Sequence, residues 1–154
     1  MNSYIDIGFH AATSLALGYL VWRIFGINDR RNLLISLFFT FLGGLLIDVD
    51  HFLDHFLSFG LNFNYEYFIS GEYFMMSNKA YIIFHAVEYV IILGLIYFFL
   101  KDQKRKMIFA SLALGVLAHL LIDIFLVPNP IKGYFIIYRI LNGFNVDMSQ
   151  GIFE

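Results

Sequence analysis

Four stretches of this chain stay apolar for about twenty residues each, at roughly 5–25, 32–53, 80–100 and 107–127. The runs are continuous rather than alternating with a period of two, which argues for helices over strands. About twenty helical residues cross the roughly 30 Å hydrocarbon core of a bilayer, so the pattern predicts four transmembrane helices. Pro128 and Pro130 are expected to end the fourth, because proline lacks an amide N–H and restricts the residue before it. The connections at 27–31 and 101–106 are short and charged. The connection at 54–79 is long and carries Phe56, Phe59, Phe63, Tyr65, Tyr67, Phe68, Tyr73 and Phe74, a composition suited to the membrane interface. From Ile131 the tail interleaves Tyr134, Phe135, Ile136, Ile137, Tyr138 and Ile140 with Lys132 and Arg139, which predicts a short interfacial amphipathic helix.

Composition agrees with this pattern. The chain has 154 residues, 60% hydrophobic and 14% charged, with a mean hydropathy of +0.73. Those values lie far from a soluble globular domain. The expectation is therefore one all-α integral membrane domain over residues 1–154. There is no Cys, so disulfides and thiolate metal sites are excluded. A net charge of -2 with no long basic run gives no sign of nucleic-acid binding. The N-terminus lacks the basic region of a signal peptide, and Arg23 follows the first apolar run. Seven of the ten Lys and Arg (Arg23, Arg30, Arg31, Lys101, Lys104, Arg105 and Lys106) flank the short connections. The positive-inside rule then places both short loops in the cytoplasm and both termini outside a cell (inner) membrane. The oligomeric state is left open.

Eight ionisable side chains break the apolar pattern: His10, Asp48, Asp50, His51, His85, Glu88, His119 and Asp123. An ionised group near the bilayer centre costs about 2.5–3.5 kcal/mol on insertion scales, so a cluster of them needs a compensating partner. The expected topology puts all eight in one layer near the extracytoplasmic side. Residues three or four apart share a helix face, which pairs His119 with Asp123, His85 with Glu88 and Asp48 with His51. Asp50 points away from that face unless the helix unwinds; it can bridge two ions, orient a histidine or face the interface. Nitrogen and oxygen donors of this kind point to a divalent metal, Zn²⁺ best, with Mn²⁺ or Fe²⁺ also suited. Eight groups exceed the needs of one tetrahedral ion, so one to three ions are open and two are favoured. In a two-metal centre Glu88 or Asp50, where not a ligand, is the expected general base.

Plainer readings stand beside these. His119 and Asp123 can be a hydrogen-bonded packing pair, His85 and Glu88 a solvated helix start, and His10 a group at the interface. Asp54 and His55 read as interfacial polar residues. Lys79, Lys132 and Arg139 read as interfacial charge before phosphate ligands. Gly43 and Gly44 read as a close helix contact.

The run Asp48-Val49-Asp50-His51, the early His10 and the later His119…Asp123 together resemble the YdjM-like family of membrane-bound metal-dependent hydrolases. Where that family carries H-R-x-x-T-H-S, this chain has Phe84-His85-Ala86-Val87-Glu88, keeping a histidine and offering Glu in place of the second. The His/Asp/Glu inventory is also similar, more distantly, to zinc-dependent phospholipase C and nucleases. The resemblance implies a hydrolase, and a site beside interfacial aromatics suits a membrane lipid or lipid-linked phosphate. Two other classes compete. A transporter needs polar groups at several depths, and the cytoplasmic half looks apolar apart from Arg23. A non-catalytic metal staple needs saturated coordination, without an open position.

Overall fold

Asp29 and Asp102 mark the two places where the chain turns back into a long helix. The Asp29 carboxylate accepts from the Asn32 amide at 2.8 Å, and Asp102 accepts from the Arg105 amide at 2.8 Å. Each satisfies one of the amides that a helix start leaves without a partner. The computed structural model describes residues 3–27, 29–70, 76–126 and 131–145. In chain order it contains α1 (Ser3–Phe25), α2 (Arg30–Gly44), a 3-10 turn (Leu46–Val49), α3 (Asp50–Phe59) and α4 (Tyr65–Ser70). α5 (Val87–Phe99), α6 (Gln103–Leu126), a second 3-10 turn (Ile131–Tyr134) and α7 (Ile136–Leu141) complete it. Among the described residues there is no strand, so the fold is all-α as the apolar runs predict; one isolated bridge joins Lys79 to Asn145.

α1, α2 and α6 pack against one another, and α5 lies along α6. The centre of this group is small and polar. Ser14, Ser36, Thr40 and Ser111 are buried. Ser36 Oγ donates to the Gly18 carbonyl at 2.8 Å and meets Ser111 Oγ at 2.8 Å. A Cβ on Gly43 would sit 2.6 Å from the Leu112 carbonyl oxygen, and one on Gly115 would strike the Thr40 carbonyl, so glycine sets the α2–α6 distance. The large apolar side chains face outward, among them Phe9, Leu20, Ile24, Phe38, Ile92, Phe98, Phe99 and Phe125. Gln103–Phe125 is long and apolar enough to cross a membrane by length and composition; Arg30–Gly44 and Leu46–Phe59 pass the same test only jointly, as a pair bent by 45°, and Val87–Phe99 is a shorter apolar helix.

Two elements depart from the apolar windows. The second window is a broken helix. Leu45 leaves the helical region, and the Asp48 amide bonds back to Leu45 at 3.3 Å instead of to Gly44. The Gly44 carbonyl is thereby released, and His119 Nδ1 lies 3.0 Å from it. The third helix begins at Val87 rather than near residue 80, with Ala86 extended before it. Residues 80–86 stay out of the helix because distant side chains take their backbone groups: Asp54 accepts from the Tyr81 amide, Asp50 accepts from the Phe84 amide at 2.6 Å, and Arg139 donates to the Ile82 carbonyl. Pro128, Pro130, Tyr73 and Phe74 lie outside the described residues.

Candidate metal centre

The break after Gly44 aims the D-x-D-H run inward. Asp48 and His51 come from the 3-10 turn and the first turn of α3, His85 from the non-helical segment before α5, His10 from α1, and His119 and Asp123 from successive turns of α6. His85 Nε2 lies 3.0 Å from His119 Nε2. Asp48 Oδ1 lies 3.2 Å from the first and 3.3 Å from the second, and Asp123 Oδ2 lies 3.7 Å and 3.2 Å from the same two atoms. His10 Nε2 approaches the other Asp123 oxygen at 3.3 Å while its ring stacks on His119 with centroids 4.0 Å apart. His51 Nε2 lies 3.5 Å from Asp48 Oδ1. Six of the eight residues singled out from sequence therefore meet in one place.

The proton positions follow from the partners. A carbonyl only accepts, so His119 Nδ1 carries the proton and donates to Gly44. His85 Nδ1 faces Asp50, 3.0 Å from Oδ1 and 3.2 Å from Oδ2, and donates to that carboxylate. With both Nδ1 atoms protonated, each neutral ring presents a bare lone pair at Nε2. Two lone pairs 3.0 Å apart repel. A proton on one of them, shared with the Asp48 or Asp123 carboxylate beside it, or a cation between them removes the conflict.

The donor set fits such an ion. A tetrahedral Zn²⁺ with bonds of about 2.0–2.1 Å holds its ligand atoms about 3.3 Å apart. The five distances above that link His85, His119, Asp48 and Asp123 run from 3.0 to 3.7 Å. His10–His119–Asp123 and Asp48–His85–His119 each bring their donor atoms within 4.8 Å of one another, so these buried groups could hold a metal ion. Asp50 also comes within that distance of His51 and His85. Its bonds to His85 Nδ1 and the Phe84 amide are those of a residue that orients a histidine.

Glu88 is placed elsewhere. Its oxygens accept from the Ile136 and Ile137 amides, both at 3.1 Å, capping α7 rather than facing the cluster. Because the helix starts late, the expected His85–Glu88 face does not form.

No protein-family model, curated protein or solved structure matches the chain.

Three residues read from sequence as interfacial, Asp54, His55 and Arg139, are buried within the protein. Asp54 holds the Tyr81 amide, and Arg139, 0% exposed, donates to the Ile82 carbonyl and, at 2.8 Å, to the His85 carbonyl. Burial lowers the Arg139 pKa from its ordinary value, with Asp50 foremost among the carboxylates opposing the shift. His55 is buried too, among the Phe59, Phe63 and Phe68 rings. The one sequence signal for Arg139 was a lone arginine inside an apolar tail. Nothing in its spacing pointed to residues 82–85.

The site has one open edge. The side chains of Asp48 and His51 are 34% and 27% exposed, against 2% for His85. Val49, Phe52 and Phe84, next in sequence to these three groups, are exposed and apolar. Phe52 also packs on Phe68 of α4, with ring centroids 4.5 Å apart.

Proposed function

We propose that this chain is a metal-dependent hydrolase built into a membrane by four helical spans, and that it cleaves a phosphoester of a lipid or lipid-linked substrate. The observation that carries the reading is the meeting of His85 Nε2 and His119 Nε2 at 3.0 Å, flanked by Asp48 and Asp123. The membrane part is supported by a fold turned inside out relative to water, with hydroxyls and carboxylates buried and large apolar side chains exposed. Lipid offers exposed backbone no hydrogen bonds, and it drives helices together through small-residue packing such as the Gly43 and Gly115 contacts. The four spans are α1, the bent α2–α3 pair, α5 with its extended lead, and α6. The YdjM-like resemblance of the D-x-D-H run and His119…Asp123 points the same way.

The donors form two overlapping groups of three that share His119, namely His10, His119 and Asp123, and Asp48, His85 and His119, with His51 3.5 Å from Asp48. Three protein ligands per ion leave a position for water or substrate, as catalytic zinc sites require. Charge calls for at least one ion. Asp48, Asp50 and Asp123 against the buried Arg139 leave the cluster two positive charges short. One divalent ion cancels that deficit, and a second makes the site cationic, as capture of a phosphate demands. A divalent ion there supplies acidification of water and polarisation of a phosphoryl oxygen. The chain's own part is positional. Asp50 and the Gly44 carbonyl fix the two rings by their Nδ1 protons, and Asp48 stands at the open edge, where water and substrate would enter. The apolar rim of Val49, Phe52 and Phe84 receives acyl chains and keeps the buried side dry.

The assay is release of phosphate or headgroup from phospholipid and polyprenyl-phosphate substrates in mixed micelles loaded with Zn²⁺ or Mn²⁺. Activity lost in Asp48→Ala and His119→Ala is expected. Equal turnover in wild type and both variants contradicts the reading. A second reading, a metal that only staples the helices, is favoured by the four donors closest together, which by themselves saturate one tetrahedral ion. One ion per chain with no turnover selects it.

A further inference from the structure

The C-terminal segment 131–145 is tied to residues 79–88, the non-helical run before α5 and the first turn of that helix, at both ends and in the middle. Lys79 bridges Asn145, and the Ala80 amide donates to the Phe144 carbonyl at 3.0 Å. In the middle, Arg139 of α7 reaches across to the Ile82 and His85 carbonyls. In return Glu88 of α5 accepts the first two amides of α7. The ties are reciprocal: each segment satisfies backbone groups that the other cannot bond within itself.

His85 sits inside this lattice with no helix of its own to hold it. Its carbonyl is fixed by Arg139, the amide before it by Asp50, and its ring by the same Asp50 carboxylate. Metal ligands elsewhere in the site stand on helices or on a 3-10 turn. Here the backbone is irregular, and side chains do the work that a helix would otherwise do. An arginine suits this task because its planar fork donates two parallel bonds, one to each carbonyl, where a lysine offers a single point charge. A guanidinium buried among carbonyls and carboxylates is costly to desolvate, and here its bonds to the Ile82 and His85 carbonyls offset that cost.

We infer that residues 131–145 form a strap that positions His85 for metal binding, with Arg139 as the positioning residue and Glu88 as the anchor of the strap. This rests on the metal reading of the site. The test titrates Co²⁺ and Zn²⁺ into the full-length detergent-solubilised protein as wild type, Arg139→Lys, Glu88→Ala and His85→Ala, with Ser36→Ala as a packing control away from the site. Metal affinity and the visible Co²⁺ spectrum, which reports the ligand field, are read beside apo thermal stability.

Arg139→Lys is expected to bind roughly tenfold to a hundredfold more weakly, as loss of a ligand-orienting group does. Its Co²⁺ spectrum shifts toward that of His85→Ala. Glu88→Ala shows the same shift in smaller degree, and it decides the matter should Arg139→Lys fail to fold. Ser36→Ala loses stability with its spectrum unchanged. If Arg139→Lys and Glu88→Ala lower stability but leave affinity and spectrum as in wild type, the strap is only structural and the inference falls while the metal site stands. If wild type itself binds neither ion, the metal reading falls and takes the strap's role with it.

Discussion

Gly43→Ala perturbs the site without touching any ligand. The new Cβ would lie 2.6 Å from the Leu112 carbonyl oxygen and 2.9 Å from the Val116 amide nitrogen, both backbone atoms that cannot swing aside. Ordinary contact begins near 3.4 Å, so α2 and α6 must part by about 0.8 Å there, the difference between 3.4 and 2.6 Å. His119 stands about one turn beyond Val116, and its Nδ1 donates to the neighbouring Gly44 carbonyl at 3.0 Å. A shift of that size takes the bond past hydrogen-bonding distance. Overpacking of this kind costs about 1–3 kcal/mol, and a lost buried hydrogen bond about 1 kcal/mol more. Alanine's better helix propensity returns about 0.5–1 kcal/mol. The net expectation is a loss of about 1–3 kcal/mol, with weaker metal binding because the His119 ring loses the group that orients it. The control is Gly94→Ala on α5, where nothing lies within 4 Å of the added Cβ; it should be neutral or stabilising. Thermal unfolding in detergent, run on apo and Zn²⁺-loaded protein, reads both effects. A Gly43→Ala protein as stable and as metal-competent as Gly94→Ala refutes the close-contact argument.

Asp50→Asn keeps the side chain's shape but removes the charge that orients His85, so Zn²⁺ affinity is expected to fall about tenfold to a hundredfold, read by competition against a zinc-sensitive dye; an unchanged affinity sinks the orienting role. Zn²⁺ at a hundredfold over its dissociation constant should stabilise the fold by about 2.7 kcal/mol, seen as a raised unfolding temperature that a chelator reverses. That gain should shrink as pH is lowered, because imidazoles must be neutral to coordinate; a pH-independent gain argues against histidine ligands. The lack of cysteine makes topology directly readable. In intact cells a membrane-impermeant maleimide should label Asn62→Cys and spare Lys101→Cys, and the reverse pattern overturns the proposed orientation.

The apolar runs were enough to read an all-helical chain, since nothing in them alternates, and Asp29 and Asp102 sit where the short connections demand a new helix start. The layer of His10, Asp48, His51, His85, His119 and Asp123 was legible because ionisable groups are conspicuous against an apolar background. What escaped was the backbone accounting. Residues 80–86 look as apolar as any helix, and bonds from Asp50, Asp54 and Arg139, up to 57 positions away, hold them out of one. Helical spacing therefore paired His85 with Glu88, whereas the structure pairs His85 with Asp50 and turns Glu88 to α7. The hydroxyls of Ser36, Thr40 and Ser111 were also passed over, because serine and threonine hardly interrupt an apolar run. They fill the α1–α2–α6 seam in the half that looked apolar apart from Arg23, and Ser36 and Thr40 donate to backbone carbonyls within it.

Metal content tests the central claim most directly. Protein extracted in mild detergent without chelator, then incubated with Zn²⁺, Mn²⁺ or Fe²⁺ and desalted, is analysed by mass spectrometry of the elements and by X-ray absorption. The expected result is one to two ions per chain in an all nitrogen and oxygen environment, lost in Asp48→Ala and His119→Ala variants that remain folded. A wild-type protein that retains none of the three metals, or variants that retain as much as wild type, contradicts the site.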